Sequence, residues 1–258
     1  MQLSALFFDD PRYLRTVVAE KPAARSAAEA RHAARLTGCR PGALILDAGC
    51  GNGRHAVPLA RAGYRVVALD RSRMLLAAAK REAGRAPWPH FVHASYAQLP
   101  FGGIFSAVLC LGTSLGYLGD NGERAALGEF RRVLAPGGRL VIETLHRAEI
   151  GGRLAEHEER RLPGGGTLCI DRRFDRARGL LHESQRLDDG TPESSLRAYD
   201  LRVYGEDELC HMLEGAGFTV IGRHASLAGT GEPTPSTPLV LVAEANGRGR
   251  PRDSALRE

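Results

Sequence analysis

Lysine is nearly absent from this 258-residue chain: of 35 basic residues only Lys21 and Lys80 are lysine, and arginine supplies the rest. The net charge of +5 is modest, and the basic residues alternate with acids in HEERR, GEFRR and DRRFDRAR. An electrostatic footprint for nucleic acid clusters instead, so no nucleic-acid partner is expected. Long apolar runs are missing too. Nothing approaches the roughly 20 residues that span a bilayer, and Asp9 and Asp10 stand where a secretory signal would continue its apolar core. The expectation is a cytoplasmic protein with no membrane partner. Cysteine is sparse and unpaired: Cys39, Cys50, Cys110, Cys169 and Cys210 are odd in number, scattered and without a CxxC pair, which argues against a disulfide framework or a zinc site. His90 and His93 point to opposite faces of a predicted strand, so no metal is expected. What remains is ordinary for a globular protein, 43% hydrophobic and 25% charged, with room for one sizeable core.

From residue 43 short apolar runs alternate with helical stretches. ALILD (43–47), YRVVALD (64–70), HFVHA (90–94), IFSAVLCLG (104–112) and RLVIETLH (139–146) read as strands. Helices are expected over 54–62, from a Ser72 cap to about 85, and from about 123 to 133, the last closed by Pro136-Gly137-Gly138. Continuous apolar strands separated by helices predict a doubly wound, Rossmann-like, mostly parallel sheet with helices on both faces. A helix over 204–218 and strands FTVIG (218–222) and PLVLVAEA (238–245) bring that sheet to seven strands. Between 147 and 198 the character changes. TLCIDRRF (167–174) and LLHESQRL (180–187) alternate as antiparallel strands open to solvent on one side do, so an antiparallel insertion after strand five is expected. The predicted organisation is a helical N-terminal lid (1–40), a core (41–146 and 199–245), the insertion (147–198) and a disordered tail (246–258).

The stretch LDAGCGNGR (46–54) carries Gly49, Gly51 and Gly53 directly after the first strand. A strand that turns through glycines into a helix offers backbone amides and a positive dipole end to an anionic group. The dinucleotide fingerprint needs a third glycine where this chain has Arg54, and Asp47 beside the turn would repel a pyrophosphate, which opposes a dehydrogenase. An acid there suits a ligand with its own ammonium group. Asp70 ends the second strand, where a carboxylate can accept from both hydroxyls of a ribose. Ribose, ammonium and carboxylate together describe S-adenosylmethionine.

In order, LDAGCGNGRHAVPLARAGYRVVALDRS, ASYAQLPF, FSAVLCLGTSLGY, FRRVLAPGGRLVIETLHR and RVYGEDELCHMLEGAGF resemble the successive motifs of class I S-adenosylmethionine-dependent methyltransferases. The likeness covers about residues 41–146 and 199–244. An FF start and the GRHA, SLGY and PGGRL blocks are similar to bacterial small-molecule members. The resemblance implies that Asp47, Gly49, Gly51 and Gly53 hold the methionine moiety, Asp70 the ribose, and Arg71 and Met74 the adenine. It implies Leu111 and Gly112 near the cofactor. Members commonly place an acid after the third strand to accept from the adenine amine; here Ser95 stands in that place, with Tyr96 beside it. Arg25, in RSAAEARHAARL, is a partner for the methionine carboxylate or simply part of a solvated helix face.

Methyl transfer is an in-line displacement in which the protein supplies orientation, desolvation and any proton acceptor. His146, after the fifth strand, is the candidate base, and plain packing at a strand exit is the alternative. Tyr117, after the fourth strand, is expected to shape the acceptor site or to be structural. Phe7, Phe8 and Tyr13 either close over the ligand or pack the N-terminal helix. The expected activity is methyl transfer to N, O or C of a small-molecule acceptor, such as a specialised metabolite, leaving S-adenosylhomocysteine. An RNA or protein methyltransferase and a non-catalytic cofactor-binding protein are the rivals; the acceptor-side NPPY tetrad of many nucleic-acid amino methyltransferases is absent, the chain reading LGTSLGY there. Acceptor and oligomeric state are left open.

Overall fold

The structure, a computed structural model, describes residues 7–17, 22–148, 150, 154–162, 165–190, 196–227, 234 and 237–247. The tail expected from 246 lies, from 248 on, outside them. Two helices come first, α1 (Pro11–Val17) and α2 (Ala23–Thr37). There follow β1 (Leu44–Ala48), α3 (Ala56–Arg61), β2 (Arg65–Asp70), α4 (Arg73–Ala83), β3 (His90–His93), β4 (Phe105–Cys110), α5 (Gly119–Val133) and β5 (Leu134–Thr144). A meander of β6 (His157–Arg161), β7 (Thr167–Asp175), β8 (Leu180–Asp188) and β9 (Leu196–Arg202) precedes α6 (Glu206–Gly215), β10 (Phe218–His224) and β11 (Leu239–Ala245).

The main sheet has seven strands in the order β10-β11-β5-β4-β1-β2-β3. Strands β1 to β5 pair in parallel, and β11 runs antiparallel to both β5 and β10. Its central strands read as continuous apolar runs because each face is covered, and the two-residue period divides them cleanly. Leu46, Val108 and Ile142 pack under α5 and α6, while Ile45, Leu109 and Val141 pack under α2, α3 and α4. The meander forms a second, four-stranded antiparallel sheet. Its Leu181 and Leu201 join Ile150 and Val203 in an apolar cluster that reaches Tyr117 and Leu145, at the carboxyl edge of the main sheet. Among the described residues no helix is long and apolar enough to cross a membrane.

Three local expectations are corrected. Helix α5 begins at Gly119 rather than near Glu123 and stops at Val133 without the proline-glycine pair. Pro136-Gly137-Gly138 lies instead inside β5, where pairing steps from Phe105–Leu134 to Ala107–Arg139. The intervening residues bulge out, and a Cβ on Gly138 would sit 2.9 Å from both the Ala135 carbonyl and Leu134. HEERR, noted above only for its alternating charges and assigned to no element, is the edge strand β6, whose Glu158 accepts a hydrogen bond from Arg172 of β7 at 2.8 Å. Charges protect such an edge from further pairing, which is why the strand carries no apolar signal.

Candidate active site

The turn after β1 takes positive φ at Gly49 (78°), Gly51 (55°) and Gly53 (80°), a region that side chains strain to enter. Each glycine answers a different neighbour. A Cβ on Gly49 would lie 2.7 Å from Ser114 after β4, and one on Gly53 would lie 3.0 Å from Ala79 of α4. At Gly51 a Cβ would meet open space, so that glycine leaves a ligand free access to the backbone. The amides of Gly49 and Cys50 donate to the Leu69 carbonyl at 2.8 and 2.9 Å, which fixes the turn to the end of β2.

Two buried carboxylates flank this turn. Asp70 accepts from the Gly51 amide through Oδ2 and from the Ser72 amide through Oδ1, both at 2.8 Å. Burial raises its pKa, and those amides work against the shift. Asp47 is 1% exposed and accepts from the Ala56 amide at the first residue of α3. Its Oδ2 is buried without a partner. Burial pushes its pKa up to about 7, with the Arg54 charge opposing. An acid in that condition favours a cationic group nearby.

Glu29 of α2 gathers the residues that follow the turn. Burial works against its charge, yet hydrogen bonds from His55, Arg25 and Arg54 hold its carboxyl well below the usual range. His55 lies 3.3 Å from it, and Arg25 donates at 2.8 Å. Arg54 reaches from Glu29 toward Gly112, where a Cβ would meet its Nη2 at 2.8 Å. The residue in the place of the missing third glycine thus ties the lid helix, the turn and the end of β4 together.

The loop after β4 is held as tightly. Thr113 has φ 63°, the one non-glycine positive value among the described residues, and a β-branched residue there is a real outlier. The Gly112 and Thr113 amides donate to Glu143 Oε2 and to the Glu143 carbonyl, at 2.9 and 3.1 Å, and sustain it. Ser114 donates to the Gly49 carbonyl at 2.9 Å. Glu123, fully buried, takes the Gly116 and Leu118 amides and the Tyr96 hydroxyl on one oxygen. Burial raises its pKa to about 6.

These elements surround one cavity of about 890 Å³. It is walled by the glycine turn, Asp70, Arg71, Leu75, Ser95 and Tyr96, and also by Phe8, Tyr13, Leu14, Tyr117 and Leu118. The N-terminal segment is fastened on both sides. Ser72 donates to Asp9 at 2.6 Å, and Arg197 of β9 donates to Thr16 at 3.3 Å while lying over the Phe7 ring.

Residues 45–138 match a methyltransferase domain family. The chain is 40% identical over 106 residues to demethylmenaquinone methyltransferase of Renibacterium salmoninarum, covering 41% of this chain and 42% of that one. It is 36% identical over 126 residues to glycine N-methyltransferase of Oryctolagus cuniculus, 42% of each. The matches thus span about two fifths of the length of these curated relatives. Across nearly the whole chain, the solved structure of the CcbJ methyltransferase from Streptomyces caelestis superposes with a TM-score of 0.76 at 25% identity, covering 93% of this chain and 98% of that one. Over residues 45–138 the chain is thus similar to a methyltransferase domain, and its fold is that of S-adenosylmethionine-dependent methyltransferases.

The residues around the cavity suit that cofactor. The space over Gly51, the field of the unpartnered Asp47 oxygen and the Asp70 carboxylate are what a methionine moiety and a ribose would need. Of the sequence candidates for this methyltransferase core, Gly49, Gly51, Gly53, Asp70, Arg71, Ser95, Tyr96, Leu111, Gly112 and Tyr117 line the cavity. Four do not. Asp47 is set beneath the turn, where it accepts from the first amide of α3. Arg25 has a side chain 66% exposed, paired with Glu29, while Arg54, which shares Glu29 with it, does line the cavity. Met74 is out of phase on α4, which presents Leu75 and Ala78 instead. His146 lines a separate small cavity with Glu206, Arg223 and His224, because β4 lies between β5 and β1. The spacing from Leu75 to Ala78 could have shown the helix phase. The Glu29–Arg54 link leaves no local trace in the sequence.

Proposed function

We propose that this chain transfers the methyl group of S-adenosylmethionine to a small-molecule acceptor bound at the aromatic end of the cavity. One observation carries the reading: a single cavity runs from the glycine turn and Asp70 to Phe8, Tyr13 and Tyr117. The two curated relatives act, by name, on small molecules, demethylmenaquinone and glycine. When bound, S-adenosylmethionine supplies a methyl group already activated on a sulfonium. In this reading Asp70 accepts from the ribose hydroxyls, and Arg54 offers a cation to the methionine carboxylate. Ser95 and Tyr96 border the adenine. Phe8 and Tyr13 exclude water above the reacting atoms, as a desolvated displacement requires. A cytoplasmic address belongs to the same proposal, since five free cysteines suit a reducing compartment.

Calorimetric titration with S-adenosylhomocysteine, with NAD as control, tests the cofactor half of this reading. Binding of the first alone is expected, and preference for NAD would overturn it. Transfer of a radiolabelled methyl group to added acceptors tests the other half, and a tightly binding protein that methylates no acceptor would be a cofactor-binding protein instead.

A further inference from the structure

We infer that the acceptor of this methyltransferase is an amine, received in a box of aromatic rings that carries no proton acceptor among the described residues. The inference rests on the cavity being a methyl-transfer site, as proposed above. Three of the residues that line this cavity, Phe8, Tyr13 and Tyr117, are aromatic and pack on one another. Phe8 stands edge-on to Tyr13 and to Tyr117, each with centroids 5.1 Å apart. Tyr199 of the second sheet backs Tyr117 at 5.5 Å, and Phe7 backs Tyr13 at 5.3 Å. Two segments distant in sequence, the lid and the loop after β4, thus converge with β9 on one aromatic chamber.

The groups that might take a proton are all occupied or unsuited. Burial lifts the Tyr13, Tyr117 and Tyr199 phenols far above their ordinary range, so they stay protonated at neutral pH. Among the described lining residues, His55 is engaged with Glu29, Asp70 gives both oxygens to the Gly51 and Ser72 amides, and Glu82 pairs with Arg61. Behind the rings, Glu183 is held by Arg172 and Gln185, both at 2.7 Å. An alcohol or carbon acid must lose a proton as it is methylated and benefits from a positioned base. A neutral amine does not. Its nitrogen lone pair forms the new N–CH3 bond as the C–S bond breaks, the bonding electrons stay on sulfur, and the ammonium product afterwards releases a proton to water. The positive charge moves from sulfur to nitrogen and stays in the chamber until that proton leaves, and ring faces attract such a cation.

The test loads the full-length protein with S-adenosylhomocysteine and titrates it with tetramethylammonium chloride and, separately, with tert-butanol, a neutral molecule of similar shape. Tetramethylammonium is expected to bind about tenfold more tightly, the size of effect that desolvated ring faces produce. Tyr13→Leu and Tyr117→Leu should each remove most of that preference, and Tyr117→Phe should retain it. Titration of every variant with S-adenosylhomocysteine reports whether the cofactor end is intact. Equal binding of the two probes, or a preference that survives both leucine variants, overturns the amine inference and leaves the methyltransferase reading standing. Failure of the unmutated protein to bind S-adenosylhomocysteine would overturn both.

Discussion

Asp70 has no oxygen to spare in the folded protein, because the Gly51 and Ser72 amides already occupy both. A ribose would therefore share a carboxylate whose position is set by the turn itself, so the residue that recognises the ligand also shapes the backbone beneath it. Asp70→Ala is expected to weaken S-adenosylhomocysteine binding by about 10- to 100-fold, since a hydrogen bond to a charged group contributes about 1.5–3 kcal/mol. The same variant should lose thermal stability, as two amides are left without their acceptor. Calorimetry and a melting curve on one sample check both; unchanged affinity would remove Asp70 from the site. Thr113 is a second residue with two sides to it, since its strained φ is sustained by the Glu143 contacts. Backbone strain of this kind gathers where a loop must present atoms to a ligand.

At the scale of elements, the hydroxyl of Ser72 serves two structures. It accepts from the Leu75 amide at 3.1 Å as the cap of α4, and it donates to Asp9 of the lid segment. Ser72→Ala should cost about 1 kcal/mol through the lost cap, which lowers the melting temperature by roughly 2–4 °C in a chain of this size. It should also speed tryptic cleavage at Arg12 in the absence of ligand. Cleavage at the unmutated rate would mean that Arg197 alone holds the lid. The cap itself was legible in the sequence, as were β1, β2, β4 and the second half of β5, because strands covered on both faces must be continuously apolar. The edge strand β6 and the bulge in β5 were not, since an exposed edge and a looped-out segment leave no apolar period. The misplacement of His146 has the same kind of cause. Sequence order puts β5 last of five strands, but which strands lie side by side is decided by how the helices cover the sheet, and β4 comes to stand between β5 and the glycine turn.

For the whole molecule, the buried acids set opposing slopes of stability against pH. Asp47, raised to about 7, and Glu123, raised to about 6, hold a proton more firmly when folded than when unfolded. Their contribution is therefore full below the unfolded values of 3.8 and 4.5 and is lost as pH rises through about 6 to 7. Glu29, held low by its hydrogen bonds to His55, Arg25 and Arg54, contributes in the other direction. Its share is present above the unfolded value of 4.5 and is lost as pH falls below it. The melting temperature should therefore peak at about pH 4, where the Glu29 share is nearly complete and the two raised acids have barely begun to lose theirs, and fall on both sides. Asp47→Asn removes the ionisation while keeping the shape of the side chain, so it should raise the melting temperature most at about pH 8 and change it little below about pH 4. The same variant should bind S-adenosylmethionine more weakly, because the field of an unpartnered carboxylate beneath the turn is what favours a cation above it. A melting temperature that climbs from pH 6 to 8 in the unmutated protein would show that Asp47 is ionised at little expense. A destabilised asparagine variant at pH 8 would show that the carboxylate holds the turn rather than straining it. The expected pair of results, a more stable protein with a poorer grip on its cofactor, would mean that the buried charge is retained for binding at the expense of the fold.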